Sequence, residues 1–189
     1  VFIDFTRFRW YDTSKKGGME MRTKRLAVLS LLSAIALTIF MVEAQIPAPV
    51  PVPGVKLGLA NIVTVFTVFR ARGRDGAAVL AVRVFLGAVF AGNFSTIFYS
   101  AAGGGLAIAV TIGAKRILTK KQLWVAGALG AVAHSIGQMA VAMVLTGTPE
   151  LIIYLPVMIA CSIVTGLATG LCAQILIDRG ERTWKTIFD

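Results

Sequence analysis

Six polar residues lie inside or beside long apolar runs of this sequence. They are Glu43, Asn61, Arg83, Asn93, His134 and Gln138. A buried polar side chain costs free energy unless it is hydrogen-bonded, so each of them needs a partner or a ligand. We therefore predict that a site for a small molecule, if the chain has one, uses members of this set.

Arg83 lies between Val82 and Val84 in the middle of an apolar run. A charge at that depth in a membrane normally faces the interior of the helix bundle or a water-filled cavity. It could extend toward the membrane surface or form a structural pair with Glu43. Alternatively, it could bind an anion, and the sequence leaves both interpretations open.

His134 and Gln138 are four residues apart and share one face of a predicted helix. Small residues on the same face would let a neighbouring helix or a ligand approach closely. The pair could hydrogen-bond helices together, or it could contact a substrate or relay a proton. The small residues of this face are Gly127, Gly130, Ala131 and Gly137.

A third group of polar residues lies where the fourth apolar run begins. It comprises Asn93, Ser95, Thr96, Tyr99 and Ser100, and the glycines 103–105 follow. These residues suit a binding pocket near a membrane surface. They equally suit interfacial anchoring by Tyr99.

The sequence contains no pattern for catalysis or cofactor binding. It has no P-loop and no dinucleotide fingerprint, and its single histidine with two cysteines forms no metal or triad motif. The nine acidic residues are scattered, whereas magnesium-dependent diphosphate chemistry uses convergent carboxylates. We expect no catalytic residues, no metal and no cofactor, and thus no enzyme that acts alone.

The composition is typical of a membrane protein. Of the 189 residues 57% are hydrophobic and only 15% are charged, and the mean hydropathy is +0.80. An all-α bundle of about six transmembrane helices is predicted. The apolar runs are 26–44, 57–69, 76–91, 94–113, 123–146 and 151–177.

The basic residues indicate the orientation of this bundle in the membrane. The net charge is +10, but Lys and Arg occur in short clusters between apolar runs, so binding to nucleic acid is not expected. Clusters near positions 22–25, 70–74, 115–121 and 179–185 mark alternate connections as cytoplasmic. Both ends are therefore predicted on the cytoplasmic side of a membrane that the chain crosses several times. The first run could alternatively be a signal peptide.

Residues 1–21 are polar and aromatic, and we expect them to be an extension outside the fold. Residues 22–178 then form one transmembrane domain, and residues 179–189 a cytoplasmic tail.

Four segments together resemble a bacterial family, the heptaprenyl diphosphate synthase component I or Gx transporter family. The resemblance extends over residues 22–178, and Ser135 departs from it, since asparagine is expected there. The segments are Pro53–Val63 (PGVKLGLANIV), Gly92–Ser95 (GNFS), Tyr99–Gly104 (YSAAGG) and Gly130–Gln138 (GAVAHSIGQ).

The resemblance implies two functions. The hydropathy and topology are similar to those of the substrate-binding S components of energy-coupling-factor transporters. Such a subunit captures a small molecule, here through Asn61, Arg83, Asn93, Tyr99, His134 and Gln138, and needs a membrane coupling subunit and ATPases. Small residues of its first helix, here Ser30 and Ala34, contact the partner.

The family name instead implies a non-catalytic subunit of a prenyl synthase in isoprenoid or quinone synthesis. A third interpretation is a membrane anchor for an electron-transfer complex. The sequence does not identify the substrate.

Overall fold

In a computed structural model, which describes residues 13–46 and 56–188, the regular elements are all helices. The seven α-helices are α1 (Thr13–Glu43), α2 (Asn61–Arg70), α3 (Gly73–Ala91), α4 (Ser95–Ile117), α5 (Leu123–Thr146), α6 (Leu155–Arg179) and α7 (Glu181–Phe188). Short 3-10 helices, Lys120–Gln122 and Pro149–Tyr154, precede α5 and α6.

Each predicted apolar run overlaps one of the helices α1 to α6, which confirms the all-α class. Within the described residues, four helical stretches are long and apolar enough to cross a membrane: Thr23–Glu43, Ser95–Ile117, Leu123–Thr146 and Pro149–Arg179. The length and composition of these four indicate a membrane protein. Helix α2 has only ten residues, and α3 carries Arg74, Asp75 and Arg83, so six crossings remain a prediction.

The predicted second run is helical over only part of its length. Residues 56–58 are non-helical, and α2 begins at Asn61. Gly58 has a φ of +80°, in the left-handed region, which interrupts a right-handed helix. The chain therefore approaches α2 through a short stretch of irregular backbone.

Helix α5 packs between α4 and α6, and glycines bring the three backbones close together. A Cβ atom added at Gly127 would lie 2.4 Å from the carbonyl oxygen of Gly166, on α6. One added at Gly137 would lie 2.8 Å from that of Ala102, on α4. The predicted face of small residues thus serves helix contacts on both sides of α5.

Polar contacts join the helices at the basic end of the bundle. The guanidinium of Arg25 pairs with the carboxylate of Asp75 at 2.6 Å and so ties α1 to α3. Lys115 on α4 donates a hydrogen bond from Nζ to the carbonyl of Val68 at 2.6 Å, near the carboxyl end of α2. Carbonyls at that end of a helix have no partner within it, so the lysine satisfies one of them.

The predicted tail is folded back onto the bundle as α7. The ring of Trp184 packs edge-on against Phe66 of α2, with centroids 5.1 Å apart. Its indole N–H donates a hydrogen bond to the carbonyl of Leu176 at 3.0 Å. On α1, Ser30 and Ala34 are exposed. Their predicted contact with a partner stays a prediction.

Candidate functional site

The irregular backbone at Lys56–Gly58 is held by side chains from three helices. The N–H of Lys56 donates a hydrogen bond to Oε1 of Gln138 at 3.1 Å, and the N–H of Gly58 donates one to Oε1 of Glu43. The hydroxyl of Thr165 donates to the carbonyl of Leu57 at 3.4 Å. Buried backbone N–H and C=O groups outside a helix require such partners, so Glu43 and Gln138 have a defined structural role.

Gly58 brings two further predicted site residues to this backbone. A Cβ atom added at Gly58 would lie 2.9 Å from Nδ2 of Asn61 and 3.1 Å from Cδ2 of His134. On the other side of His134 lies Gly103 of α4, where an added Cβ would lie 3.0 Å from the ring. Glycine at positions 58 and 103 thus makes the room that the imidazole occupies.

Two cations approach one aromatic ring beside this backbone. Nζ of Lys56 lies 3.5 Å from the centroid of the Phe40 ring, and Cζ of Arg83 lies 5.6 Å from the same centroid. Both distances are in the range of cation–π attraction. Phe40 lies one helical turn before Glu43 on α1, so the carboxylate of Glu43 and the two cations belong to one cluster.

Glu43 interacts with Lys56 and with Arg83 through their charges. The predicted pair of Glu43 and Arg83 is therefore electrostatic, and these two described side chains make no direct hydrogen bond with each other. Burial lowers the pKa of Lys56, with Arg83 acting in the same direction and the carboxylate of Glu43 in the opposite one. We call Phe40, Glu43, Lys56, Gly58, Asn61, Arg83, His134 and Gln138 the polar cluster.

Several atoms of the polar cluster are buried without a hydrogen-bond partner in the described part of the chain. They are both polar side-chain atoms of Asn61, one terminal nitrogen of Arg83, and Nδ1 of His134. These residues are only 1%, 4% and 3% exposed. Buried polar atoms in folded proteins are nearly always paired, so this concentration of unpaired ones makes the polar cluster a candidate binding site.

Two predicted site residues lie outside the polar cluster. Tyr99 is buried in an apolar group with Met139 and Met158. Asn93 is exposed, and its side-chain oxygen accepts a hydrogen bond from the N–H of Ser95 at 2.9 Å, next to the start of α4. The structure thus brings four of the six predicted binding residues together, namely Asn61, Arg83, His134 and Gln138.

Sequence reasoning missed Lys56 and Phe40. Lys56 is the one charged residue of the connection 45–60. That isolation was the available signal. Ser135, the position that departs from the family pattern, shares a hydrogen bond of 2.5 Å with Ser162 and so joins α5 to α6.

A second feature is a groove on the outside of the bundle, at its basic end. It is a cavity of about 500 Å³ lined by Arg72, Arg74, Ala77, Ile108 and Ile112, together with Gly73. A neighbouring cavity of about 310 Å³ shares Ala77 and is lined otherwise by apolar residues, Leu80, Ala81, Val84, Phe85, Ile97 and Ala101. We call the two cavities together the α3–α4 groove.

No metal centre is formed within residues 13–46 and 56–188, because no three His, Cys, Asp or Glu side chains lie close enough together. The arrangement offers binding groups in an apolar bundle. Fold and site thus define a helical membrane protein with a buried polar cluster.

The chain belongs to the heptaprenyl diphosphate synthase component I family, whose model matches residues 32–176. No curated protein and no solved structure matches it significantly. The matched region contains every member of the polar cluster and both cavities of the α3–α4 groove. It confirms the family suggested by the four sequence segments.

Proposed function

We propose that this chain is the non-catalytic membrane subunit of a prenyl diphosphate synthase, and that it binds a prenyl diphosphate in the α3–α4 groove. Its family is named for component I of heptaprenyl diphosphate synthase. In this proposal six helices cross a bacterial inner membrane, both ends are cytoplasmic, and a soluble subunit performs the chemistry.

The observation that carries this proposal is the composition of the groove along its length. Arg72 and Arg74 line one end, and apolar side chains line the rest. Guanidinium groups bind phosphate oxygens well because their donors match them in geometry and charge. An apolar wall suits an isoprenoid chain, so the groove matches a molecule with an acidic head and an apolar tail.

The position of the groove fits delivery from a cytoplasmic partner. Arg72 and Arg74 lie between α2 and α3, in one of the basic connections predicted to be cytoplasmic. Such residues also attract the anionic inner leaflet. A diphosphate released by a soluble synthase would meet this end of the groove first.

The test measures binding of radiolabelled farnesyl diphosphate to the purified full chain in nanodiscs. Loss of two charged phosphate contacts in an R72Q/R74Q double variant should weaken binding at least about tenfold. The matched control is Arg116→Gln, an exposed charge on α4 outside the groove. Equal binding by both variants and the wild type would contradict the proposal.

The partner is tested separately, by affinity purification from native membranes with mass spectrometry of the proteins recovered. A soluble prenyl synthase subunit is expected. Recovery of a transporter coupling subunit with ATPases instead would favour the second candidate function.

That second candidate is a subunit that captures a small molecule, as an energy-coupling-factor S component does. It is favoured by the location of the polar cluster. Glu43 and Asn61 lie at the ends of α1 and α2 remote from the basic ends at Arg25 and Arg70. With a cytoplasmic amino end, the polar cluster is then nearer the outer face. The test introduces a cysteine near position 46 and adds a membrane-impermeant thiol reagent from outside. A cysteine that does not react with the reagent would exclude this orientation.

A further inference from the structure

Charged residues are almost absent from the apolar part of this chain, and three of them meet in the polar cluster. Residues 26–69, 76–114 and 122–177 contain only four charges, Glu43, Lys56, Arg83 and Glu150. The first three interact with one another through their charges, and Lys56 and Arg83 lie within reach of the Phe40 ring. Their convergence from α1, α3 and the connection before α2 requires a physical reason.

These charges do not balance. Lys56 and Arg83 supply two positive charges and Glu43 one negative charge, which leaves a surplus of one positive charge. Residues 47–55, which complete this connection in the sequence, contain no acidic residue. An uncompensated charge in a low-dielectric interior is costly, so a group with one negative charge would be bound favourably there.

The unpaired atoms of the polar cluster are of the right type for such a group. One terminal nitrogen of Arg83 and the amide nitrogen of Asn61 are buried donors with no acceptor among the described residues. Nδ1 of His134 is also unpaired, and it donates or accepts according to its tautomer. Unpaired polar atoms, the amide oxygen of Asn61 among them, thus come to the polar cluster from α2, α3 and α5.

We propose that the polar cluster binds a small molecule through one acidic group of unit negative charge, a carboxylate or a phosphodiester. Arg83 and Asn61 donate hydrogen bonds to its oxygens, and Lys56 contributes charge. A diphosphate carries more negative charge than the surplus balances, so it fits the α3–α4 groove rather than this site.

Glu43 and Gln138 act through the backbone in this arrangement. They hold the N–H groups of Gly58 and Lys56, and thereby the segment that carries Lys56 to Arg83. They are positioning residues. The inference does not rest on the synthase proposal, because its residues are different; it specifies the ligand class for the second candidate function.

The test follows thermal unfolding of the purified full chain in detergent with sodium acetate, sodium dimethyl phosphate or neutral acetamide. A bulky sulfonate salt keeps the ionic strength constant. Acetate or dimethyl phosphate should raise the unfolding temperature, because ligand binding stabilises the folded state, and acetamide should not. Stabilisation by acetate alone identifies a carboxylate, and stabilisation by dimethyl phosphate alone a phosphodiester.

Variants assign the effect to the polar cluster. Arg83→Gln should weaken binding of the effective anion by about tenfold or more. Arg83→Lys should retain part of it, and Arg116→Gln all of it. If Arg83→Gln does not fold, the comparison of acetate with acetamide on the wild type still decides the charge requirement. Three results would overturn the proposal. Acetate and acetamide could raise the unfolding temperature equally, neither anion could raise it, or a folded Arg83→Gln protein could respond to the anion as the wild type does.

Discussion

Substitution of Gly58 tests the geometry on which the polar cluster depends. Its φ of +80° is a backbone conformation that costs an L-residue about 1–2 kcal/mol. A Cβ atom would also lie 2.9 Å from Asn61 and 3.1 Å from His134, both of which are buried. Overpacking of this kind costs about 1–3 kcal/mol. Gly58→Ala should therefore lower the free energy of unfolding by roughly 2–5 kcal/mol.

Two other glycines separate these contributions. Gly92 has a φ of +63°, but an added Cβ meets nothing within 4 Å. Gly92→Ala should thus show only the backbone cost of about 1–2 kcal/mol. Gly105 lies inside α4 with open space around it. Gly105→Ala should be neutral or stabilise by up to about 1 kcal/mol, since alanine favours helix.

The measurement is reversible unfolding of the three variants in mixed micelles, followed by circular dichroism. The order of stability should be Gly105→Ala, Gly92→Ala and then Gly58→Ala. A Gly58→Ala protein as stable as the Gly92→Ala protein would refute the predicted contacts with Asn61 and His134. A Gly58→Ala protein as stable as the wild type would also refute the left-handed backbone.

Other variants examine charge, hydrogen bonding and helix docking. Glu43→Gln keeps an oxygen for the backbone N–H but removes the negative charge, so acetate or dimethyl phosphate should bind more tightly, whereas Glu43→Ala should weaken binding. Burial lowers the pKa of Lys56, whose charged neighbours are Glu43 and Arg83. Binding of the anion should therefore decline as the pH rises through that pKa, which lies below the range of an ordinary lysine. Lys56→Arg, which stays charged, should remove the decline in the same titration. Lys115→Met should cost about 1 kcal/mol of unfolding free energy in mixed micelles, because a carbonyl of α2 loses its donor. Trp184→Ala should speed proteolytic removal of α7, measured by mass spectrometry, and an unchanged rate would argue against its docking.

The class of protein could be predicted from local sequence alone. Apolar runs of sufficient length form helices wherever the backbone has to satisfy its own hydrogen bonds. For this reason α4 and α5 occupy nearly the predicted ranges. Six crossings could not be established in the same way, because α2 is short and α3 carries charges. Whether those two helices span depends on how their neighbours shield them.

The candidate site could be predicted only in part. Arg83, His134 and Gln138 were identified because a polar side chain in an apolar run costs free energy whichever helix face it occupies. Asn93 and Tyr99 satisfied the same criterion, yet one caps a turn and the other packs among methionines. A polar residue in an apolar run signals that it needs a partner, but not which partner it has.

The helices, the basic clusters between them and the family could be predicted from the amino-acid sequence, because these depend on composition and on residues near each other in the chain. By contrast, the hydrogen bond from the backbone of Lys56 to Gln138, 82 residues away, and the approach of Lys56 and Arg83 to one aromatic ring became evident from the folded structure alone. Such contacts depend on the rotation and crossing of packed helices. Helical periodicity specifies which residues share a face, but it does not specify which helix that face meets.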